Sequence, residues 1–231
     1  MVYLPKSQPA PACLEQEKMN VNGNYDCGEV LERLQHDFKN KCYICESGEP
    51  TDINTEHFIP HKGDKQLKFD WNNLFFSCSH CNSIKGASGK YLNILNCTNL
   101  SDKVDTNIYY SITESSYINE INIIPNALTS RVSNADKVLR TASLLNAVYN
   151  GTTPKKRMGA RNLRNRIIKE IRNFNDLVLE FENSPNTLNI NLEIKDKIIF
   201  HLSAASPFAA FKRWIVWNNK VLNNELGQYC K

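Results

Sequence analysis

The sequence predicts an α+β fold: a small metal-stapled unit of two strands and one short helix, followed by a mainly helical C-terminal region. Three observations predict it. Two Cys-x2-Cys pairs, Cys42/Cys45 and Cys78/Cys81, are separated by the 32 residues Glu46–Ser77. Two short apolar pieces, Ile53–Ile59 and Leu74–Phe76, are followed by a helical stretch, Ser79–Lys85, closed by Gly86. From about Ser133 onward, apolar residues recur at steps of three and four, the pattern of a helix with one buried face.

The elements follow in order. Residues 1–24 read as extended or loop, being punctuated by Pro5, Pro9, Pro11, Asn20, Asn22, Gly23 and Asn24. A helix is expected from Asp26, where Asp26 and Glu29 form a capping-box pattern and Leu31, Leu34 and Phe38 recur at helical spacing. The strand, long loop, strand and short helix of the cysteine unit come next. Residues 91–125 are rich in Asn, Ser and Thr, with β-type pieces at Ile108–Ile112 and Ile121–Ile124. One helix carries Val138, Leu139, Ala142, Leu145 and Val148 and ends near Asn150-Gly151. A long amphipathic helix carries Leu163, Ile167, Ile171, Phe174, Val178 and Phe181. Two more are expected over Ile194–Ser203 and Phe208–Leu222. The expected domains are residues 1–125, with the cysteine unit at 42–90, and residues 126–231.

With 41% hydrophobic and 23% charged residues, the chain has the composition of an ordinary soluble globular protein. No apolar stretch approaches the roughly 20 residues of a membrane span. Met1–Cys13 has three prolines and no apolar core, so it does not read as a signal peptide, and the expected location is the cytoplasm. The net charge of +4 is unremarkable, but its distribution is not. Lys155–Arg172 contains eight cations and one acid, Glu170, for a net +7, leaving −3 elsewhere. A polar face of one sign suits a nucleic-acid backbone, through counterion release, or else an acidic partner protein. Arg157, Arg161 and Arg164 are the expected nucleic-acid contacts on this face.

Of the eight cysteines, four form the two pairs. Without an export signal disulfides are not expected, so Cys13, Cys27, Cys97 and Cys230 read as ordinary thiols. Each pair can present two sulfurs from one tight turn, and two such turns close a tetrahedron that suits Zn2+. The insert exceeds the roughly 15–20 residues usual in a zinc ribbon, so something is built between the knuckles. Four sulfurs leave no open position for water, which makes this zinc structural.

The insert holds Glu56-His57-Phe58-Ile59-Pro60 and Asp70-Trp71-Asn72-Asn73-Leu74, followed by Cys78-Ser79-His80-Cys81-Asn82 and Lys85. Trp71, Leu74, Phe75 and Phe76 read as core rather than as base-stacking groups. Together these motifs resemble the HNH (ββα-metal) endonuclease signature over about 45 residues. The resemblance implies phosphodiester hydrolysis, with His57 as general base, Glu56 and Asn82 as ligands of a catalytic Mg2+ or Mn2+, and Asn73 orienting the loop that carries His57. Lys85, one turn after Asn82, is expected to meet a phosphate. Two departures stand out: Asn82 replaces the final His of the motif, and Glu56 replaces the frequent Asp. Hard oxygen ligands of this kind suit Mg2+ better than zinc. His61 and His80 are additional; both read as exposed loop histidines, with His61 the one placed to lie near the site.

A narrower resemblance rests on the Cys-x2-Cys-Glu knuckle, Glu-His-Phe-x-Pro, Asp-Trp-x-Asn-Leu-x-x-Ser-Cys and Pro207-Phe208-Ala209-Ala210-Phe211-Lys212-Arg213-Trp214. These are similar to the HNH subunit of Septu-type and retron-associated anti-phage defence systems, which implies an ABC/AAA-type ATPase partner. The leading expectation is a DNA endonuclease. The alternatives are an RNA-cleaving (for example tRNA-cleaving) effector, a zinc-stabilised nucleic-acid-binding module without catalysis, and an adaptor whose helical half binds a partner.

Overall fold

The computed structural model describes residues 1–115, 120–128, 135–183 and 188–231. At its centre, β1 (Ile53–His57) pairs antiparallel with β2 (Leu74–Cys78), with His57 opposite Leu74 and Glu56 opposite Phe75. A short helix, α4 (Ser79–Lys85), follows β2 directly. Its C-cap, Gly86, sits at φ +54, ψ 179, a conformation open essentially to glycine alone. The expected strand–strand–helix order is therefore present, and Trp71, Leu74, Phe75 and Phe76 are buried core.

The N-terminal segment departs from expectation. Residues 12–19 form α1 (Ala12–Met19) rather than loop, since Pro11 at the N-cap is compatible with a helix beginning just after it. The next helix, α2 (Gly28–Asp37), starts two residues later than expected. Asp26 does not cap it: its carboxylate accepts from the Thr55 hydroxyl on β1 instead. Cys13 and Cys27 form a disulfide that ties α1 to the start of α2, which corrects the expectation of free thiols there. The two residues lie 14 apart in sequence with Cα atoms 6.6 Å apart, within bridging reach once the two helices pack. Val30 and Leu34 line the buried face of α2, and Phe38 at its C-cap meets Phe75 and Tyr43 in an aromatic cluster.

The loop between β1 and β2 is also more ordered than expected. It contains α3 (Lys65–Phe69), whose N-cap Asp64 accepts from the amides of Gln66 and Leu67. Beyond the cysteine unit, a one-turn α5 (Val104–Asn107) leads into a hairpin of β3 (Ile108–Ser115) and β4 (Glu120–Ala127). The expected domain boundary at 125/126 falls inside β4. Ile108 and Ile123 share one hydrophobic cluster with Phe75 of the cysteine unit and Leu145 of the helical region.

In the helical region, α6 (Ala135–Asn150) and α7 (Pro154–Asn183) are joined at Gly151, where φ is +72 and a Cβ would come 2.5 Å from the Arg157 amide nitrogen. The 30-residue α7 serves two cores. Leu163, Ile167 and Ile171 join the main cluster. Phe174 and Val178 join a second cluster with Ile194, Ile198 and Leu202 of α8 (Leu188–Leu202). The expected single helix over Phe208–Leu222 is two, α9 (Ala209–Asn218) and α10 (Lys220–Leu226). The break falls at Asn219, whose side chain caps α10 through the amides of Val221 and Leu222.

Helix α9 is anchored on the first cysteine knuckle. The buried Glu46 carboxylate accepts from the Ala210 amide at 3.1 Å, and the Glu46 carbonyl accepts from the Phe208 amide at 3.1 Å. A carboxylate at a helix N-terminus gains from both unsatisfied amides and the helix dipole. Two cations within α9 are buried and paired. Lys212 bonds Glu170, His201 and Ser206, and Arg213 pairs with Asp105 at 2.5 Å.

Candidate active site and zinc centre

The first cysteine pair sits on a turn closed by a bridge between Lys41 and Gly48, and this turn is held to β2 by the Tyr43 amide donating to the Phe76 carbonyl. The second pair spans the β2–α4 junction, with Cys78 ending the strand and Cys81 one turn into the helix. All four sulfurs lie within 4.8 Å of one another, and the Cys45 and Cys78 sulfurs are 3.9 Å apart. A tetrahedral zinc with bonds of about 2.3 Å needs sulfurs about 3.8 Å apart. The donor set and its spacing therefore fit a structural zinc.

A second site lies at the other end of β1. A cavity of about 380 Å³ is lined by Glu56 and His57 from the strand, Pro60, His61 and Lys62 from the loop after it, Asn82 and Lys85 from α4, and Tyr25 from the N-terminal segment. Of the residues singled out in the sequence, Glu56, His57, Asn82 and Lys85 converge here.

The state of His57 follows from its partner. Its Nε2 is 3.0 Å from the Lys68 carbonyl, which can only accept, so Nε2 carries the proton. Nδ1 keeps its lone pair and has no hydrogen-bond partner among the described residues. Burial lowers the pKa of the ring below the ordinary value, although the Lys68 carbonyl acts the other way. The Tyr25 ring packs edge-on at 4.4 Å and fixes the imidazole plane. Burial thus favours the neutral imidazole, with its lone pair on Nδ1.

Asn73 does not line the cavity. Its side-chain oxygen accepts from the Ile59 amide at 2.7 Å, and its amide donates to the carbonyls of Ile59 at 2.9 Å and Leu67 at 3.0 Å. Ile59 lies two residues beyond His57, and Leu67 immediately precedes Lys68. One buried side chain therefore ties together the segment carrying His57 and the carbonyl that sets its tautomer.

Glu56 is buried, with Oε1 2.6 Å from Lys85 Nζ and with Oε2 buried and lacking a hydrogen bond. Burial raises its pKa, and the Lys85 ammonium offsets this. The Asn82 side chain makes no hydrogen bond among the described residues. Glu56 and the uncommitted Asn82 amide line one cavity, and their oxygens are hard donors of the kind that fit Mg2+ or Mn2+. Lys85, expected to meet a phosphate, lines the same cavity; it is 3% exposed, paired with Glu56 and donating to the His57 carbonyl at 3.1 Å.

The additional histidines separate. His61 lies in the cavity, its ring centroid 4.7 Å from that of His57. His80 faces the helical region, with Nε2 2.9 Å from the Val148 carbonyl. A Cβ on Gly159 would meet its ring at 2.8 Å, so His80 is a packing contact rather than an exposed loop residue. Tyr25 belongs to the site but carried no signal in the sequence, being far upstream of the motif. On α7, Arg157 and Arg161 are exposed, whereas Arg164 is half-buried and donates to the Tyr149 carbonyl at 2.7 Å.

Two strands and a helix clasped by four cysteines, with an oriented histidine at the end of the first strand, define a ββα unit with a zinc-capable cysteine cluster. Residues 42–88 match the HNH endonuclease family, so this stretch is an HNH domain; the match covers 47 of 231 residues. No curated protein and no solved structure matches the chain. Among the described residues, no helix is long and apolar enough to cross a membrane.

Proposed function

We propose that this protein is a divalent-metal-dependent endonuclease that hydrolyses phosphodiester bonds in DNA. The observation that carries the reading is the His57 imidazole, whose Nε2 is committed to the Lys68 carbonyl and whose Nδ1 is uncommitted, in a cavity shared with Glu56 and Asn82. His57 Nδ1 takes a proton from the attacking water. Asn73 keeps that nitrogen oriented through its bonds around Ile59 and Leu67. Glu56 and Asn82 would hold Mg2+ or Mn2+, which supplies charge stabilisation at the phosphate oxygens. The exposed cations of α7, Arg157 and Arg161 among them, would contact the nucleic-acid backbone.

The resemblance to the nuclease subunit of Septu-type and retron-associated systems supports a narrower proposal. In it, the chain is the nuclease effector of an anti-phage defence system and works with an ABC/AAA-type ATPase. The RNA-cleaving alternative differs only in substrate, because the groups gathered here address phosphate rather than sugar.

The test is incubation with plasmid DNA, single-stranded DNA and bulk tRNA, each with Mg2+, Mn2+ or EDTA. Metal-dependent cleavage of DNA that EDTA abolishes supports the proposal. Cleavage of tRNA alone moves the substrate to RNA, and cleavage that persists in EDTA contradicts metal dependence.

A further inference from the structure

The HNH signature uses one histidine of this cavity, but the cavity contains two. His57 and His61 face each other across 4.7 Å between ring centroids, tilted by 53°. Their hydrogen bonds leave opposite ends free. The Gly63 backbone amide donates to His61 Nδ1 at 3.2 Å, so in the neutral ring the His61 proton sits on Nε2. In His57 the Nε2 proton is already given to the Lys68 carbonyl and the free nitrogen is Nδ1. One ring offers the cavity a lone pair, the other an N–H.

We propose that His61 is a further catalytic residue, its Nε2–H donating a hydrogen bond to a nonbridging oxygen of the scissile phosphate while His57 Nδ1 accepts the proton of the attacking water. The proposal rests on the nuclease reading given above. Charge builds on the nonbridging oxygens as the water adds, and a donor fixed in advance stabilises it without reorganisation. His61 is suited to this because it follows Pro60, whose ring restricts the backbone, and because its other nitrogen is held by Gly63. Neither feature is needed for packing, since His61 is half-exposed.

The test uses the full-length chain, plasmid DNA and Mg2+ or Mn2+, with kcat and KM measured for wild type, His61→Ala, His61→Gln and His57→Ala. His61→Ala is expected to lose about 10²-fold in kcat, the usual loss for one such donor, with KM changed less than about threefold. His61→Gln keeps a donor and is expected to recover at least about tenfold of that loss. Zinc content and melting temperature stay at wild-type values. In parallel, histidine ¹⁵N spectra of the wild type are expected to show the proton on Nε2 of both rings. Wild-type cleavage by His61→Ala overturns the proposal. So does an equal loss in His61→Ala and His61→Gln, or a proton on Nδ1 of His61. Wild-type cleavage by His57→Ala overturns His57 as the base, and a wild type that cuts nothing overturns the nuclease reading; in both cases the spectra still decide the geometry of His61.

Discussion

Lys85 Nζ lies 2.6 Å from Glu56 Oε1, with both side chains almost wholly buried, and the same ammonium donates to the backbone carbonyl of His57. A cation on α4 thus holds both the carboxylate expected to bind metal and the strand end that bears the base. Breaking such a pair leaves a buried charge without a counter-ion. Lys85→Met is expected to lower unfolding free energy by about 3–5 kcal/mol, measured by urea denaturation. Adding Glu56→Gln to that variant is expected to restore much of the loss. A Lys85→Met protein as stable as wild type would show that the pair contributes little.

Asn73 makes three hydrogen bonds from a buried side chain. At about 1 kcal/mol each, its replacement by Ala is expected to cost about 2–4 kcal/mol and to loosen the Ile59 and Leu67 segments. Amide exchange at Ile59, mapped by mass spectrometry, is expected to speed up in Asn73→Ala. Unchanged protection would separate Asn73 from the positioning of His57.

The four-sulfur cluster predicts one zinc per chain by elemental analysis, and Cys78→Ser is expected to lose it together with a cooperative melting transition. Zinc-free protein that melts like the wild type would contradict a structural role for the metal.

Lys6 lies under Trp71 and donates to the Trp71 and Leu74 carbonyls, the latter at 2.6 Å, next to Asn73. Burial pushes its pKa from the ordinary 10.5 down to about 7, although Asp37 and Asp70 act the other way. Between these values the unfolded chain binds the extra proton, so its contribution to stability grows as pH rises from about 7 to 10.5 and is lost as pH falls back. Denaturation midpoints across that window are expected to rise less steeply in Lys6→Met than in wild type. Equal slopes would mean that Lys6 titrates normally.

Arg157 and Arg161 are exposed on α7. If both meet phosphates, Arg157→Ala/Arg161→Ala weakens DNA binding regardless of sequence and lowers the slope of log K against log salt by about 2, read by fluorescence anisotropy. An unchanged slope would place the DNA elsewhere and favour an acidic protein partner for this face.

The cysteine unit was legible because its signals are local. Cysteine spacing, a short apolar strand and a glycine stop defined α4 to the residue, and aromatic Phe75 and Phe76 marked the core. What stayed illegible depends on contacts distant in sequence. Asp26 looks like a helix cap until Thr55 is seen beside it. Cys13 and Cys27 look unpaired until two helices pack. The pairing of Lys85 with Glu56 across the strand–helix junction likewise leaves no local signal. The break at Asn219 was missed because Trp217 and Leu222 continue an apolar pattern across a residue whose side chain prefers to cap.

The most direct test of the central claim is cleavage by purified wild type and His57→Ala with Mg2+ or Mn2+, with zinc measured in the same samples. The account predicts that His57→Ala keeps its zinc and its fold but cuts at least about 10²-fold more slowly. Equal cleavage by the two proteins would contradict it, because His57 Nδ1 would then not be the base.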